Sequence, residues 1–298
     1  MPGLTGWRAV LLVHRLHFPL PLSYLAYAWW GAAFAAAEPR DLIGGPVLVT
    51  VAATVLSLLA GLALNTAADV RTDRHDRDKT ALTGAAGRFG SRRIFGWAAA
   101  EAIAAMVLAA VVALRLGRWA VPVVLAAALA AHLSYNLEPV RLKRRGLAGP
   151  AVFGAGFLAV PGMASYFAVR PALEASMVPV LAGLCVLAFG RTTWFSVPDH
   201  EADARTGIGT PGARYGPWRT LLVSCGLVAA GLLLLGAGLW WRYGAAWAIT
   251  GAVTEGAFLA GMTALAGPRR SLSRMRELAT PIVLLGDLSL VAIPLLAG

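Results

Sequence analysis

Long apolar runs, separated by short polar stretches, follow one another along nearly the whole chain. Nine such runs have lengths of roughly 18 to 25 residues, which is enough for a helix to cross the ~30 Å hydrocarbon layer of a bilayer. They centre on residues 19–37, 42–64, 94–114, 119–135, 151–169, 177–197, 221–241, 245–266 and 282–296. The pattern therefore predicts an all-α integral membrane protein with nine transmembrane helices.

The overall composition agrees with a membrane protein and excludes an ordinary soluble domain. Of the 298 residues, 58% are hydrophobic and 14% are charged, and the mean hydropathy is +0.68. No polar region is long enough to form a separate soluble domain, so we expect one membrane domain over residues 1–298. Cys185 and Cys225 both fall in apolar runs, which argues against a disulfide framework and against a thiolate metal site.

The basic residues are distributed unequally between the two ends of the predicted helices. If nine helices span the membrane, twenty Lys and Arg residues fall on one side, five fall on the other, and Arg191 lies within a span. The positive-inside rule then predicts a multi-pass protein of the cell membrane, with its N-terminus in the cytoplasm and its C-terminus outside. Because topology explains the net charge of +11, we expect contact with membrane lipid and no nucleic-acid partner.

Acidic residues are few, and many of them are grouped. Of fifteen Asp and Glu residues, seven lie in two segments that each follow an apolar run on the predicted cytoplasmic side: Asp69, Asp73, Asp76 and Asp78, then Asp199, Glu201 and Asp203. Asn65, Asp69 and Asp73 are spaced i, i+4, i+8, so they line one face if the second helix continues beyond the membrane. Asp199 and Asp203 repeat the i, i+4 spacing. Both helix ends therefore carry an acidic face into the same layer.

These acidic helix ends are either solvated or occupied by a cation. Carboxylates at a helix C-terminus oppose the macrodipole, and like charges at i, i+4 repel each other. A divalent cation removes both penalties, and Mg²⁺ prefers one or two carboxylates together with water and phosphate oxygens. The neighbouring cations suit the remaining charge of a polyphosphate. They are Arg71, Arg74, Arg77 and Lys79.

An isoprenyl diphosphate matches both the charge and the apolar surroundings of such a site. A diphosphate held by metal ions and basic side chains is a good leaving group, because the negative charge that develops on it is already neutralised. The attached group should be apolar, since the site opens into apolar helices. An isoprenyl diphosphate has an anionic head, a lipid-soluble tail and an allylic carbon that tolerates ionisation.

The two acidic segments, with a basic segment between them, resemble motifs of the UbiA superfamily of intramembrane prenyltransferases. The family motif N-D-x-x-D-x-x-x-D is similar to "NTAADVRTD", which matches at Asn65, Asp69 and Asp73. The family motif D-x-x-x-D is similar to "DHEAD", which matches at Asp199 and Asp203. The segment "SYNLEPVRLKRRGLAG" is similar to the Y-S-x-x-P-x-R-L-K-x-x-G segment of the family.

The resemblance has two departures. Thr66 stands where the family has its second acid, so one carboxylate of the first motif is missing. The run "KTALTG", residues 79–84, replaces the R-P-x-P-S-G run of the family. These departures bear on the number of metal ions and on the identity of the acceptor.

The resemblance also implies roles for individual residues. It implies one Mg²⁺ held by Asn65, Asp69 and Asp73 and another held by Asp199 and Asp203. It further implies that Arg77 or Lys79, together with Arg141 and Lys143, contacts the diphosphate. Glu201 lies two residues after Asp199 and therefore off the Asp199–Asp203 face, so we expect a structural or loop role for it.

Several other residues each have two interpretations. Tyr135 ends the fourth predicted span and lies either over the allylic carbon or in the aromatic belt of the membrane interface. Trp194 and Phe195 stand about one helical turn before Asp199, where they either stabilise a carbocation or pack in the core. Arg191 is costly in lipid and needs a partner, which is either an acceptor carboxylate or an ion pair with Glu255 or Asp287. We expect His14, Arg15 and His17 to be interfacial.

The sequence therefore predicts a nine-helix UbiA-like bundle around a central cavity, capped on the cytoplasmic side by the acidic helix ends and the basic loops. The leading function is Mg²⁺-dependent transfer of a prenyl group from an isoprenyl diphosphate to a lipophilic, aromatic acceptor. A second hypothesis is an intramembrane terpene cyclase, in which the same ionisation is followed by internal ring closure without an acceptor. A third is a transporter or structural membrane protein that binds no diphosphate.

Overall fold

The computed structural model describes residues 6–73, 80–265 and 272–298, and most of these residues lie in helices. The chain begins with α1 (Gly6–Val13), α2 (Leu20–Ala35), α3 (Gly45–Asp73), α4 (Thr80–Phe89) and α5 (Ser91–Leu116). It continues with α6 (Ala120–Asn136), α7 (Ala148–Phe153), α8 (Gly162–Val169), α9 (Met177–Phe195) and α10 (His200–Arg205). It ends with α11 (Pro211–Tyr215), α12 (Pro217–Tyr243), α13 (Ala245–Leu265) and α14 (Leu272–Ala297). Shorter elements are 3₁₀ turns at Pro39–Ile43 and Leu142–Arg144 and a π-helical segment at Gly154–Ala159.

The long helices pack against one another in a closed order. α3 packs along α5, α5 packs on α6, and α6 packs on α7 and α8. α9 packs on the π-helical segment and along α12, and then α13 and α14 follow, with α14 returning to α2. Because α2 also contacts α3 and α8, the two halves of the chain meet at this helix. The predicted all-α membrane bundle is confirmed.

The predicted count of nine spans is not confirmed. Among the described residues, six helical stretches are long and apolar enough to cross a membrane: Gly45–Val70, Ser91–Leu116, Ala148–Val169, Met177–Phe195, Pro217–Tyr243 and Leu278–Ala297. α6 is a shorter apolar helix of 17 residues. The other two predicted spans contain α2, whose 16 residues reach about 24 Å at the helical rise, and α13, which carries Glu255 near its middle. The bundle is multi-pass, and nine remains a prediction.

The second predicted span continues into the first acidic motif without a break. α3 has 29 residues, and the stretch from Leu64 to Asp73 contains neither proline nor glycine to interrupt it. Asn65, Asp69 and Asp73 therefore share one helix face, as their spacing predicts.

The second acidic motif depends on close contact between α9 and α12. A Cβ atom added to Gly183 would lie 2.5 Å from the backbone nitrogen of Leu235, and one added to Gly231 would lie 2.6 Å from that of Leu187. Only glycine allows the two backbones to approach so closely. This packing fixes the direction of α9 and therefore the position of Asp199, which follows the end of this helix.

Candidate active site

The first acidic motif lies on the last three turns of α3 and is largely enclosed by neighbouring elements. Asn65 and Asp73 are both buried, and the Asp69 side chain is 13% exposed. Asn65 donates a hydrogen bond from Nδ2 to Asn136 Oδ1 of α6 over 2.8 Å. This bond fixes the amide of Asn65, whose Oδ1 accepts a hydrogen bond from Arg15.

The basic segment after α6 supplies cations to this motif. Lys143 Nζ pairs directly with Asp69 Oδ1, and Arg141 Nη2 lies 3.6 Å from the same oxygen. Burial lowers the pKa of Lys143, and the Asp69 carboxylate acts in the opposite direction by favouring its charged form. The structure therefore brings Arg141 and Lys143 to the first acidic motif. The resemblance to the family implies that these two residues contact the diphosphate.

The second acidic motif lies just after α9. Asp199 stands at the N-cap of α10, and the backbone N–H of Asp203 donates to the carbonyl oxygen of Asp199 over 2.9 Å. Thr210 donates from Oγ1 to Asp203 Oδ2 over 2.7 Å, which orients this carboxylate. Glu201 is exposed instead and pairs with Arg205 at 3.1 Å, in agreement with the structural role expected for it.

The basic segment also connects the two motifs. Gly146 donates from its backbone N–H to the carbonyl oxygen of Gly209 over 2.8 Å, so the loop that places Lys143 on Asp69 also contacts the segment after Asp203. Tyr135, at the end of α6, lies within electrostatic range of Asp69 and also of Asp199 and Asp203. The two acidic motifs and the basic loop therefore meet at one end of the bundle.

Two residues of this end were not predicted from the sequence. Arg15, in the turn between α1 and α2, donates from Nη2 to Asn65 Oδ1 over 2.7 Å. The turn that carries Arg15 folds over α3, and the interfacial position of Arg15 and His17 stays a prediction. Asn136, which holds Asn65 in place, is buried. A single arginine between two apolar segments matches no motif. Asn136 lies within the segment that resembles the family, but it is not one of the residues that match the family pattern.

Arg191 lies deep in the bundle in a buried cluster with two acids. Its Nη2 pairs with Glu255 Oε2, its Nη1 lies 3.5 Å from Asp287 Oδ1, and its Cζ lies 5.5 Å from the ring centroid of Phe258. Of the two interpretations of Arg191, the structure therefore supports the ion pair. Contact with an acceptor or other substrate gains no support, because both carboxylates already face the guanidinium.

The aromatic pair before the second motif is part of the apolar core. Trp194 is fully buried and packs edge-to-face on Phe258, with 5.5 Å between the ring centroids. Phe195 is half-buried, and its ring centroid lies 5.1 Å from that of Trp194. Burial favours packing for Trp194, and contact of either ring with a substrate stays a prediction.

The side chains of the two acidic motifs offer oxygen atoms, which are the type of ligand that Mg²⁺ prefers. Among the described side chains, no three His, Cys, Asp or Glu groups converge as a metal cluster. Mg²⁺ needs no such triad when phosphate oxygens and water complete its shell, and each motif offers a pair of carboxylates one turn apart. The residues therefore fit this ion, and their role as ligands stays a prediction. The other predicted contacts, Arg77 and Lys79, lie outside the described residues, as do Asp76 and Asp78.

Comparison with known proteins gives a family match and a fold match. A family model described as the UbiA prenyltransferase family matches residues 24–275. The bacteriochlorophyll synthase 33 kDa chain of Rhodobacter capsulatus is 34% identical over 140 residues, which cover 45% of this chain and 46% of that protein. The match thus spans about half the length of this curated relative.

Solved structures match over nearly their whole length. A UbiA homolog from Archaeoglobus fulgidus bound to DMAPP and Mg²⁺ has a TM-score of 0.73 at 15% identity, covering 97% of this chain and 98% of that one. The apo structure of a UbiA homolog from Aeropyrum pernix K1 has a TM-score of 0.66 at 22% identity, covering 93% and 97%. At these identities the similarity shows the fold.

Proposed function

Because the chain belongs to the UbiA prenyltransferase family, we propose that it transfers a prenyl group from an isoprenyl diphosphate to a lipophilic, aromatic acceptor in a Mg²⁺-dependent reaction that releases diphosphate. The observation that carries this proposal is the double contact of one basic loop. The loop pairs Lys143 with Asp69 of the first motif and bonds Gly146 to Gly209 beside the second. One diphosphate can therefore reach cations and acids from both motifs.

The diphosphate head is bound by the basic side chains around the first motif. Lys143 and Arg141 approach from the loop after α6, and Arg15 approaches from the turn before α2. Arg15 and Arg141 each offer a planar fork of N–H donors that matches phosphate oxygens. Mg²⁺ would be held by Asn65, Asp69 and Asp73 and by Asp199 and Asp203, and when bound it neutralises charge on the leaving diphosphate.

The reaction breaks the bond between the allylic carbon and the diphosphate oxygen, and the electron pair leaves with the diphosphate. The allylic cation is captured by the acceptor, which loses a proton as the new bond forms. Tyr135 interacts electrostatically with aspartates of both acidic motifs, and we assign its ring to face the cation. The acidic motifs thus serve ionisation, and Tyr135 is assigned to the reacting carbon.

An aromatic path suits the prenyl tail. The Tyr135 ring packs on Phe153 with 5.1 Å between centroids, and Phe153 stacks on Phe157 with 4.1 Å between centroids. Phe157 belongs to an apolar cluster with Leu58 and Leu62 of α3. Apolar side chains thus continue from the charged end into the bundle, which supports a lipid-like tail on the substrate.

The relatives support the same substrate classes. Structures of a UbiA homolog from Archaeoglobus fulgidus with the same fold were solved with DMAPP and Mg²⁺ and with GPP and Mg²⁺, so an isoprenyl diphosphate and this ion are the donor and metal we propose. The similarity to a bacteriochlorophyll synthase supports transfer to an acceptor over cyclisation. A bacteriochlorophyll precursor therefore belongs among the acceptors to be tested.

The test is a product assay on the purified protein in detergent or nanodiscs. Geranyl, farnesyl and geranylgeranyl diphosphates are each supplied with Mg²⁺, with and without a panel of aromatic acceptors, and both diphosphate release and organic-soluble products are measured. We expect release that depends on an acceptor and a prenylated product. A cyclised hydrocarbon formed without acceptor would contradict transfer, and no release from any donor would contradict both enzymatic functions.

A further inference from the structure

Thr66 uses its side chain to hold the segment before α2. Thr66 is buried, and its Oγ1 donates a hydrogen bond to the carbonyl oxygen of Val13, the last residue of α1, over 2.9 Å. The bond joins residues that are far apart in the sequence, whereas Thr54 on the same helix donates to the carbonyl oxygen of Thr50 within its own helix. The Thr66 hydroxyl is therefore an anchor between elements.

The segment that Thr66 holds carries Arg15 to the site. Arg15 has a backbone φ of 52°, in the left-handed region that residues other than glycine rarely adopt, so its surroundings must hold it there. Tyr24 donates a hydrogen bond to the Arg15 carbonyl oxygen over 3.4 Å. The preceding residue, His14, is also held, because its Nε2 lies 2.9 Å from Glu101 Oε1 of α5. With the Arg15 main chain fixed in this way, its guanidinium reaches Asn65.

We propose that Thr66 is a positioning residue for diphosphate binding, which it serves by anchoring the turn that presents Arg15 to Asn65. The inference rests on the proposed function. It gives a physical role to the position where the sequence departs from the family motif. A hydroxyl can donate to the Val13 carbonyl oxygen, whereas an ionised carboxylate has no proton to donate and would face that oxygen with like charge. In this chain the position therefore holds a basic group near the diphosphate instead of supplying a further acid.

A double-mutant cycle separates positioning from mere structural support. Thr66→Val removes the hydroxyl, Thr66→Ser retains it, and Thr54→Val is the matched control on the same helix. The first readout is the affinity for geranyl thiolodiphosphate in the presence of Mg²⁺, because this analogue binds but ionises only slowly. The second readout is amide hydrogen exchange of residues 6–18. We expect Thr66→Val to weaken affinity about 5-fold and to raise exchange in this segment, while Thr66→Ser stays near wild type.

The cycle is completed with Arg15→Gln. Because Thr66 acts through Arg15, we expect Thr66→Val to change affinity by less than about 2-fold when Arg15 is already replaced. Equal effects of Thr66→Val and Thr54→Val, or additive effects of Thr66→Val and Arg15→Gln, would overturn the inference. A wild-type protein that binds the analogue but ionises no isoprenyl diphosphate would instead overturn the proposed function and leave the inference standing.

Discussion

The contact between Lys143 and Asp69 is the residue-level feature on which the site depends most. Both side chains are largely buried, and a buried ion pair is costly to break because the remaining charge loses its partner. The same lysine is one of the cations that we propose contact the diphosphate. Its position therefore suits exchange of one anionic partner, the carboxylate, for another, the phosphate.

We predict that Lys143→Gln weakens binding of geranyl thiolodiphosphate about 10- to 100-fold, the range expected when a charge-assisted hydrogen bond is lost. Titration of the purified protein with the analogue measures this. Arg145→Gln is the matched control, because Arg145 is an exposed cation of the same loop that donates to the Pro139 carbonyl oxygen at 2.8 Å. Equal losses in both variants would mean that only the general positive charge of the loop matters.

Spacing within one helix was enough to predict that the first acidic motif lines one helix face. Asn65, Asp69 and Asp73 could be placed on one face because α3 continues through them. Arg15 could not be predicted, because its contact with Asn65 spans fifty residues and depends on a turn held by main-chain bonds. Thr66 shows the same limit, since its partner is a carbonyl oxygen, which every residue has.

At the scale of elements, the buried cluster of Arg191, Glu255 and Asp287 joins three helices. Arg191 lies on α9, Glu255 on α13 and Asp287 on α14. A Cβ atom at Gly286 would lie 2.6 Å from Glu255 Oε2, so the glycine leaves room for this acid. The cluster thereby ties the last two helices to the helix that leads into the second acidic motif.

We predict that Arg191→Met destabilises the protein by about 3–5 kcal/mol, because it leaves two carboxylates buried without a cation. Thermal unfolding in detergent measures the change. The triple variant Arg191→Met, Glu255→Gln, Asp287→Asn should be more stable than the single variant, since it removes the charges together. A single variant as stable as wild type would show that the cluster does not hold these helices.

The element scale also shows what sequence patterns leave out. Apolar run lengths correctly predicted helices, among them the fifth span over residues 151–169, but they did not predict that this span is built from α7, a π-helical segment and α8. A π turn depends on local packing and has no periodicity of its own to detect. Run lengths also could not decide whether α2, with 16 residues, crosses the membrane completely.

At the scale of the whole molecule, the distribution of basic residues predicts the topology of the chain in the membrane. If the number of spans is odd, as the sequence predicts, the two termini lie on opposite sides of the membrane, and the positive-inside rule then places the basic loops and the acidic motifs in the cytoplasm. The fold brings the two acidic segments and the basic segment to one end of the bundle, and their roles stay predictions. Orientation in the membrane depends on charge on the loops, so it requires its own test.

We predict that a cysteine at Arg8 reacts with a membrane-impermeant maleimide only in inside-out vesicles, and that a cysteine at Gly298 reacts only in right-side-out vesicles. Both variants are built with Cys185 and Cys225 replaced by serine, so that only the introduced thiol can react. Both positions are exposed. Labelling of both from the same side would mean an even number of spans.

The central claim is that both acidic helix ends act on one isoprenyl diphosphate. The most direct test is a single-turnover assay that measures transfer of a radiolabelled prenyl group to an acceptor that the wild-type enzyme uses. Asp69→Asn and Asp199→Asn are compared with Glu201→Gln, which removes an exposed acid beside the second motif. We predict that each aspartate variant transfers label at least about 100-fold more slowly, while Glu201→Gln transfers it at the wild-type rate. Near-normal transfer by either aspartate variant would contradict the account.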